Sequence, residues 1–176
     1  MATKNVQKVI RYILVAALIV VAIRYAYLSF QWYENNQKIP AVSQGNVVTF
    51  SAEMSKSTRI LDVDASEQYI YFAYSSNGVV AVYDWNGVYQ YSLAFFSDTN
   101  GGLGMRCEDG LLYVSDYAHY EFVFSGDTVI EELEPSQERH SMWWFNEEKE
   151  NPIVIRNQKV YDKLGNFIMD LPGRLY

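Results

Sequence analysis

Between Tyr12 and Trp32 the chain reads YILVAALIVVAIRYAYLSFQW, and only Arg24, Ser29 and Gln31 interrupt its apolar and aromatic character. As a helix this stretch rises about 31 Å, the thickness of a bilayer's hydrocarbon core. A helix that is apolar on every face belongs in lipid rather than against a small domain. Lys4, Lys8 and Arg11 precede it and Glu34 follows. The positive-inside rule therefore predicts a cytoplasmic N-terminus and an extracytoplasmic remainder. Tyr25, Tyr27, Trp32 and Tyr33 fall where an interfacial aromatic belt would lie. A cleavable signal peptide needs small residues at alternate positions, and Ala22-Ile23-Arg24 and Tyr25-Ala26-Tyr27 fit that poorly. The expected organisation is a cytoplasmic tail over 1–11, a transmembrane helix over 12–33, a linker over 34–45 and an extracytoplasmic domain over 46–176.

Arg24 is costly in hydrocarbon, about 2.5–3.5 kcal/mol near a helix centre on insertion scales. Snorkelling to the outer headgroups relieves that cost. Alternatively, Arg24, Tyr27 and Gln31 form one helical stripe, i, i+3, i+7, able to face a partner helix in the membrane. Ala22 and Ala26 add a pair of small residues close by.

Charge is divided unevenly along the chain. The net charge of −7 includes four cations before Glu34, which leaves ten basic against 21 acidic residues and −11 on everything after the helix. A body that negative repels phosphate, so no nucleic acid partner is expected. Cys107 is the one cysteine, so no intramolecular disulfide forms.

The segment ENNQKIPAVSQG, 34–45, is polar and carries Pro40, as a linker does. Beyond it the pattern changes to period two. VVTFS (47–51), YIYFAY (69–74), VVAVY (79–83), YQYSLAFF (89–96), LLYVSDY (111–117), FVF (122–124), PIVIRN (152–157), KVY (159–161) and FIMDL (167–171) are short and rich in β-branched and aromatic residues. Turn signals such as DWNG (84–87), EDG (108–110), SGD (125–127) and KLGN (163–166) separate them. The prediction is an all-β domain with no further amphipathic helix.

The strands also repeat. Val82-Tyr83-Asp84 with Gly87, Tyr89 and Leu93 recurs 78 residues later as Val160-Tyr161-Asp162 with Gly165, Phe167 and Leu171. Phe122-Val123-Phe124 and its Ser-Gly-Asp turn occupy a middle copy, giving three copies with a period near 40. The physical expectation is a propeller-like stack of antiparallel four-stranded meanders, since one meander alone cannot bury its face.

Ile60-Leu61-Asp62-Val63-Asp64, Tyr69-Ile70-Tyr71-Phe72-Ala73 and Val79 through Gly87 together resemble a blade of an NHL-like or related β-propeller, and Cys107 through Asp116 repeats part of that pattern. The resemblance spans about residues 58–172 and implies a fold rather than an activity. Closed propellers have four to eight blades, whereas three copies are encoded here. It therefore implies either an open stack or a six-bladed ring completed by two chains.

No catalytic constellation emerges. Asn100-Gly101-Gly102-Leu103-Gly104 lacks the Lys-Ser/Thr of a phosphate loop and reads as an inter-strand turn. His119 and His140 have no zinc-type spacing. Asp62-Val63-Asp64-Ala65-Ser66-Glu67 has the alternating oxygens of a calcium loop without its glycine or distal Glu, and reads as a strand end with its turn. Accordingly no metal and no cofactor are expected. Acidic runs at Glu131, Glu132, Glu134, Glu138 and at Glu147, Glu148, Glu150 flank Ser141-Met142-Trp143-Trp144-Phe145. If those aromatics lie in a strand, Trp143 and Trp144 face opposite sides and one is exposed. Trp143, Trp144 and Phe145 are thus the candidate partner-binding residues. The function expected is a membrane-anchored, non-enzymatic interaction domain that binds a protein partner or its own kind. The competing reading is a carbohydrate- or calcium-binding extracytoplasmic sensor.

Overall fold

The computed structural model describes residues 2–43, 46–54, 56, 58–74, 78–95, 103–115, 120–134, 140, 144–145 and 151–175. The chain divides into two units, 1–36 and 37–176.

The first unit is helical. Helix α1 (Ala2–Lys38) is longer than the 12–33 span read from hydropathy. It continues upstream through Lys8 and Arg11 and downstream through Glu34 and Gln37, because these straight-chain residues are good helix formers. It stops ahead of Ile39-Pro40, where the proline ring disfavours helical geometry in the residue before it. Among the described residues this is the one helix long and apolar enough to cross a membrane, with mean hydropathy 2.2 in a window none of which is buried within the protein.

The second unit consists of three antiparallel sheets. The first holds β1 (Val47–Phe50), β2 (Ile60–Ala65), β3 (Tyr69–Tyr74), β4 (Val79–Asp84) and β5 (Tyr89–Phe95), in the order β1-β5-β4-β3-β2. The second is β6 (Gly104–Glu108), β7 (Leu111–Ser115), β8 (Glu121–Ser125) and β9 (Thr128–Leu133), each paired with the next. The third is β10 (Ile153–Arg156), β11 (Lys159–Asp162) and β12 (Phe167–Asp170). Only the second sheet is a four-stranded meander as expected. The first gains β1 along β5, and the third has three strands among the described residues.

The repeat holds at the level of single hydrogen bonds. Gly87 N–H donates to Asp84 O, and Gly165 N–H donates to Asp162 O 78 residues on. Asp84 Oδ1 accepts from Val88 N–H at 2.9 Å, and Asp162 Oδ1 from Asn166 N–H at 2.8 Å. The carboxylate thus satisfies turn donors that the ladder leaves open. Both glycines lie in the left-handed region, at φ 76° and 88°. A β-bulge lies at Val82/Tyr83, Val123/Phe124 and Val160/Tyr161, at the matching position of each sheet.

Both faces of the first sheet are buried, and strict alternation decides which residue serves which neighbour. Ile70, Phe72, Tyr74, Val79, Ala81 and Tyr83 pack with Ile153, Val160 and Leu171 of the third repeat. Tyr71, Ala73, Val80, Val82, Leu93 and Phe95 pack with Met105, Leu112, Val114, Phe122 and Phe124 of the second sheet. The spatial order is therefore third, first, second, with the earliest sheet in the middle. A parallel bridge between Arg59 and Arg174 fastens the last strand-like segment beside the entry to β2. Gly173 makes that approach possible, since a Cβ there would lie 2.6 Å from Thr58 O and 2.8 Å from Ile60 Cγ1.

Candidate functional site

Polar clamps join the sheets along β2. Asp64 is 2% exposed. Its Oδ1 accepts from Ala65 N–H at 2.9 Å, and its Oδ2 accepts from Cys107 N–H in β6 at 2.6 Å. Asn151 Nδ2 donates to Val63 O at 2.9 Å, while its Oδ1 accepts from Ile153 N–H at the start of β10. Adjacent residues of one strand thus hold the second and the third sheet. The two bonds to the Asp64 carboxylate are the stronger ones, because a charged acceptor strengthens a bond in a low-dielectric interior, whereas the Asn151 bonds join neutral amides. The stretch Asp62–Glu67 is a strand end with its turn, as the sequence indicates. Among the described residues no three acidic, His or Cys side chains are grouped so as to hold a metal ion.

The candidate binding residues fall on the second sheet. Trp143 lies outside the described residues. Trp144 and Phe145 form a short helical turn, which overturns the expectation of a strand. The adjacent-residue argument for an exposed tryptophan fails with it. Trp144 stacks on His140 with centroids 3.8 Å apart, and Arg106 sits 4.5 Å over its ring. Arg106 also donates to Trp144 O at 2.7 Å, and Tyr113 packs edge-on against the same indole. Phe145 is buried at 4% exposure. This turn closes over the sheet because its backbone carbonyl and ring both satisfy Arg106.

Glu121 anchors the same layer and was not singled out by sequence. It has no exposed surface, and it accepts from His140 N–H at 3.0 Å through Oε2. Its Oε1 lies 2.6 Å from His140 Nδ1. A Glu next to the apolar run Phe122–Phe124 was the available signal, because such a residue on an inward face needs a partner.

On α1, Gln31 Nε2 donates to Tyr27 Oη at 2.6 Å, so two members of the predicted stripe are joined one turn apart. Arg24 is exposed on the same helix.

A concavity on the β domain lies where the sheets converge. It encloses about 660 Å³ between the β2–β3 turn, the β6–β7 turn and Pro152 just before β10. Trp85 and Cys107 line it with Glu67, Glu108 and Asp109 at its edges. Trp85 is fixed by a bond from its indole N–H to Ser66 O at 3.1 Å. Asp109 and Gly110 both have positive φ, 51° and 78°, a two-residue hairpin turn that thrusts the carboxylates of this corner outward. The cleft combines an apolar ring, carboxylates and loops from three sheets, an arrangement suited to recognising a cation or a ring-bearing polar ligand. Sequence reading missed it because its residues come from positions 64–67, 85, 107–110 and 152. In comparisons with known proteins, no protein-family model and no curated protein matches the chain.

Proposed function

We propose that this chain is a membrane-anchored, non-enzymatic binding domain, with its N-terminus cytoplasmic and a propeller-like stack of β meanders displayed outside. The 78-residue repeat of turn, bulge and glycine supports the kinship with propeller blades of the NHL-like kind. The observation that carries the binding role is the cleft of about 660 Å³ built from loops of all three sheets. Loops on a rigid β scaffold are the usual place for recognition. Its Glu67, Glu108 and Asp109 favour a cationic segment of a partner protein, with a Lys or Arg side chain against Trp85.

Isothermal titration of the full-length protein in mild detergent with a Lys/Arg-rich peptide tests this reading. Saturable heat that weakens with salt and is lost in the E67Q/E108Q/D109N variant supports it. Trp85 also favours a second reading, carbohydrate binding, because a fixed indole beside carboxylates suits sugar stacking and hydroxyl recognition. Heat with a neutral oligosaccharide and none with the peptide would transfer the assignment. Heat with neither would leave the cleft without a binding role.

A further inference from the structure

The first and third sheets run between two chemically opposite ends of the β domain. Asn151, just before β10, is bonded to Val63 O, and Pro152 lines the cleft, so β10 starts at the cleft and reaches the other end at Arg156. At that other end Ile60 N–H donates to Arg174 O and Arg174 N–H to Thr58 O, both at 2.9 Å. These bonds tie the segment after β12 to the entry of β2. From there β2 runs from Ile60 to Ala65 at the cleft, a rise of about 17 Å.

The cleft end carries Glu67, Glu108 and Asp109. The end away from it is basic. Lys56, Arg59, Arg156, Lys159 and Arg174 gather there, five of the ten basic residues that follow Glu34. All five are exposed. A hollow of about 490 Å³ opens among Lys56, Lys159 and Arg174, and Asp170 is the one acid on its wall among the described residues. Asp170 stands opposite Lys159 in the ladder, but among the described residues no ion pair joins them. The Lys159 ammonium lies instead 5.4 Å from the Phe167 ring centroid. The β10–β11 turn adds a second signal. Asn157 and Gln158 hold φ of 51° and 61° without a glycine, and both line the same hollow. Strain kept by a polar side chain fits a place where that side chain meets a ligand. Amide N–H groups beside cations are donors suited to phosphate oxygens.

We propose that this basic end docks on the anionic phosphate headgroups of the membrane that anchors the chain, which turns the acidic cleft away from the bilayer. The inference rests on the membrane anchoring proposed above. The tether keeps the headgroups within reach. Ile39 packs against the apolar cluster that includes Ile60 and Leu171, and the six residues from Tyr33 to Ile39 span at most about 22 Å. Such confinement gives the headgroups a far higher effective concentration than any soluble anion. The acidic remainder of the domain does not cancel the attraction. Glu132 and Glu134 lie at the same end of the second sheet, two sheet spacings or about 20 Å from the third, beyond the screening length of about 8 Å.

The test uses the full-length protein in vesicles that carry spin-labelled headgroup lipid in both leaflets, so the direction of insertion does not affect the signal. In a Cys107→Ser background, a dye is placed at Leu175→Cys beside the hollow or at Glu67→Cys at the cleft. In phosphatidylcholine containing one part in three of phosphatidylglycerol, the Leu175 dye should be quenched at least about two-fold more than the Glu67 dye. That excess should vanish in pure phosphatidylcholine and in molar salt. Each Lys or Arg near an anionic surface contributes about five-fold to binding, so K56Q/R156Q/K159Q/R174Q should lose the excess as well. The salt arm leaves the basic residues in place and decides the matter even if that variant fails to fold. Equal quenching of the two dyes in anionic vesicles would overturn the proposal, as would stronger quenching at Glu67. So would an excess that persists in pure phosphatidylcholine, because charge would then not orient the domain. Flotation with the vesicles after an alkaline wash separates the two readings. A protein that floats without the excess refutes docking alone, and one that does not float refutes the anchoring and the docking with it.

Discussion

Replacing Asp64 by asparagine tests whether the clamp on β2 holds the stack together. The carboxylate accepts two backbone N–H groups, one from its own strand and one from Cys107 in the second sheet, at 2.9 and 2.6 Å. A hydrogen bond to a charged acceptor contributes about 1.5–3 kcal/mol. Asparagine keeps one oxygen acceptor and turns an NH₂ group toward the other N–H, donor against donor, in a site only 2% exposed. Relief from burying a charge offsets part of the loss. The expected net cost is about 2–4 kcal/mol. At roughly 3–4 °C per kcal/mol for a domain of this size, the midpoint should fall by about 6–16 °C. Thermal unfolding of the full-length protein in mild detergent, followed by near-UV circular dichroism, measures this. Glu67→Gln, at an exposed position three residues away, should stay within about 0.5 kcal/mol. An Asp64→Asn protein as stable as that control would refute the reasoning, and the sheets would then be held by apolar packing alone.

Glu121→Ala should destabilise by about 2–4 kcal/mol, and a double-mutant cycle with His140→Ala should show coupling of at least about 1 kcal/mol. Gln158→Gly should raise stability by about 0.5 kcal/mol in the same unfolding assay, because Gln158 sits at φ 61° in a turn that glycine enters without strain. Burial pushes the Tyr71 phenol up to about 12, against a weaker opposing pull from the Ser66 hydroxyl, and it raises Tyr74, Tyr83, Tyr89 and Tyr91 as well. The folded domain therefore holds these protons where the unfolded chain has lost them. Stability should be intact below about pH 10 and decline from there to pH 12, with phenolate absorbance at 295 nm appearing together with loss of near-UV signal. Phenolate formed in advance of unfolding would contradict the burial of these rings.

The apolar stretch from Tyr12 announces itself in the sequence, because no soluble helix of a small β domain is apolar all round. The 78-residue repeat was equally legible, since Asp84 and Asp162 perform a side-chain job that constrains spacing. Strands without that signature were harder to see. Gly104-Met105-Arg106-Cys107-Glu108 carries no β-branched residue, yet forms β6 because its pairing with Leu111–Ser115 and the Asp64 clamp override local propensity. Asn157-Gln158 makes the β10–β11 turn at positive φ with no glycine to mark it. Trp144 and Phe145 favour a strand by type and adopt a helical turn because Arg106 and His140 engage them there. The cleft gathers residues from four separated stretches, and the third-first-second order of sheets depends on which faces meet. Neither leaves a local pattern to read.

That order has a consequence for how the chain is made. The face of the first sheet bearing Ile70, Phe72, Tyr74 and Tyr83 is finished early but waits for Ile153, Val160 and Leu171 to cover it. At about 5–20 residues per second, the interval between synthesis of Tyr83 and Leu171 is roughly 4–18 seconds. Throughout that time an aromatic β surface stands uncovered on a nascent polypeptide. Biogenesis, rather than the finished molecule, is where this architecture is most exposed to aggregation, and a ribosome stall between those two points would prolong the hazard.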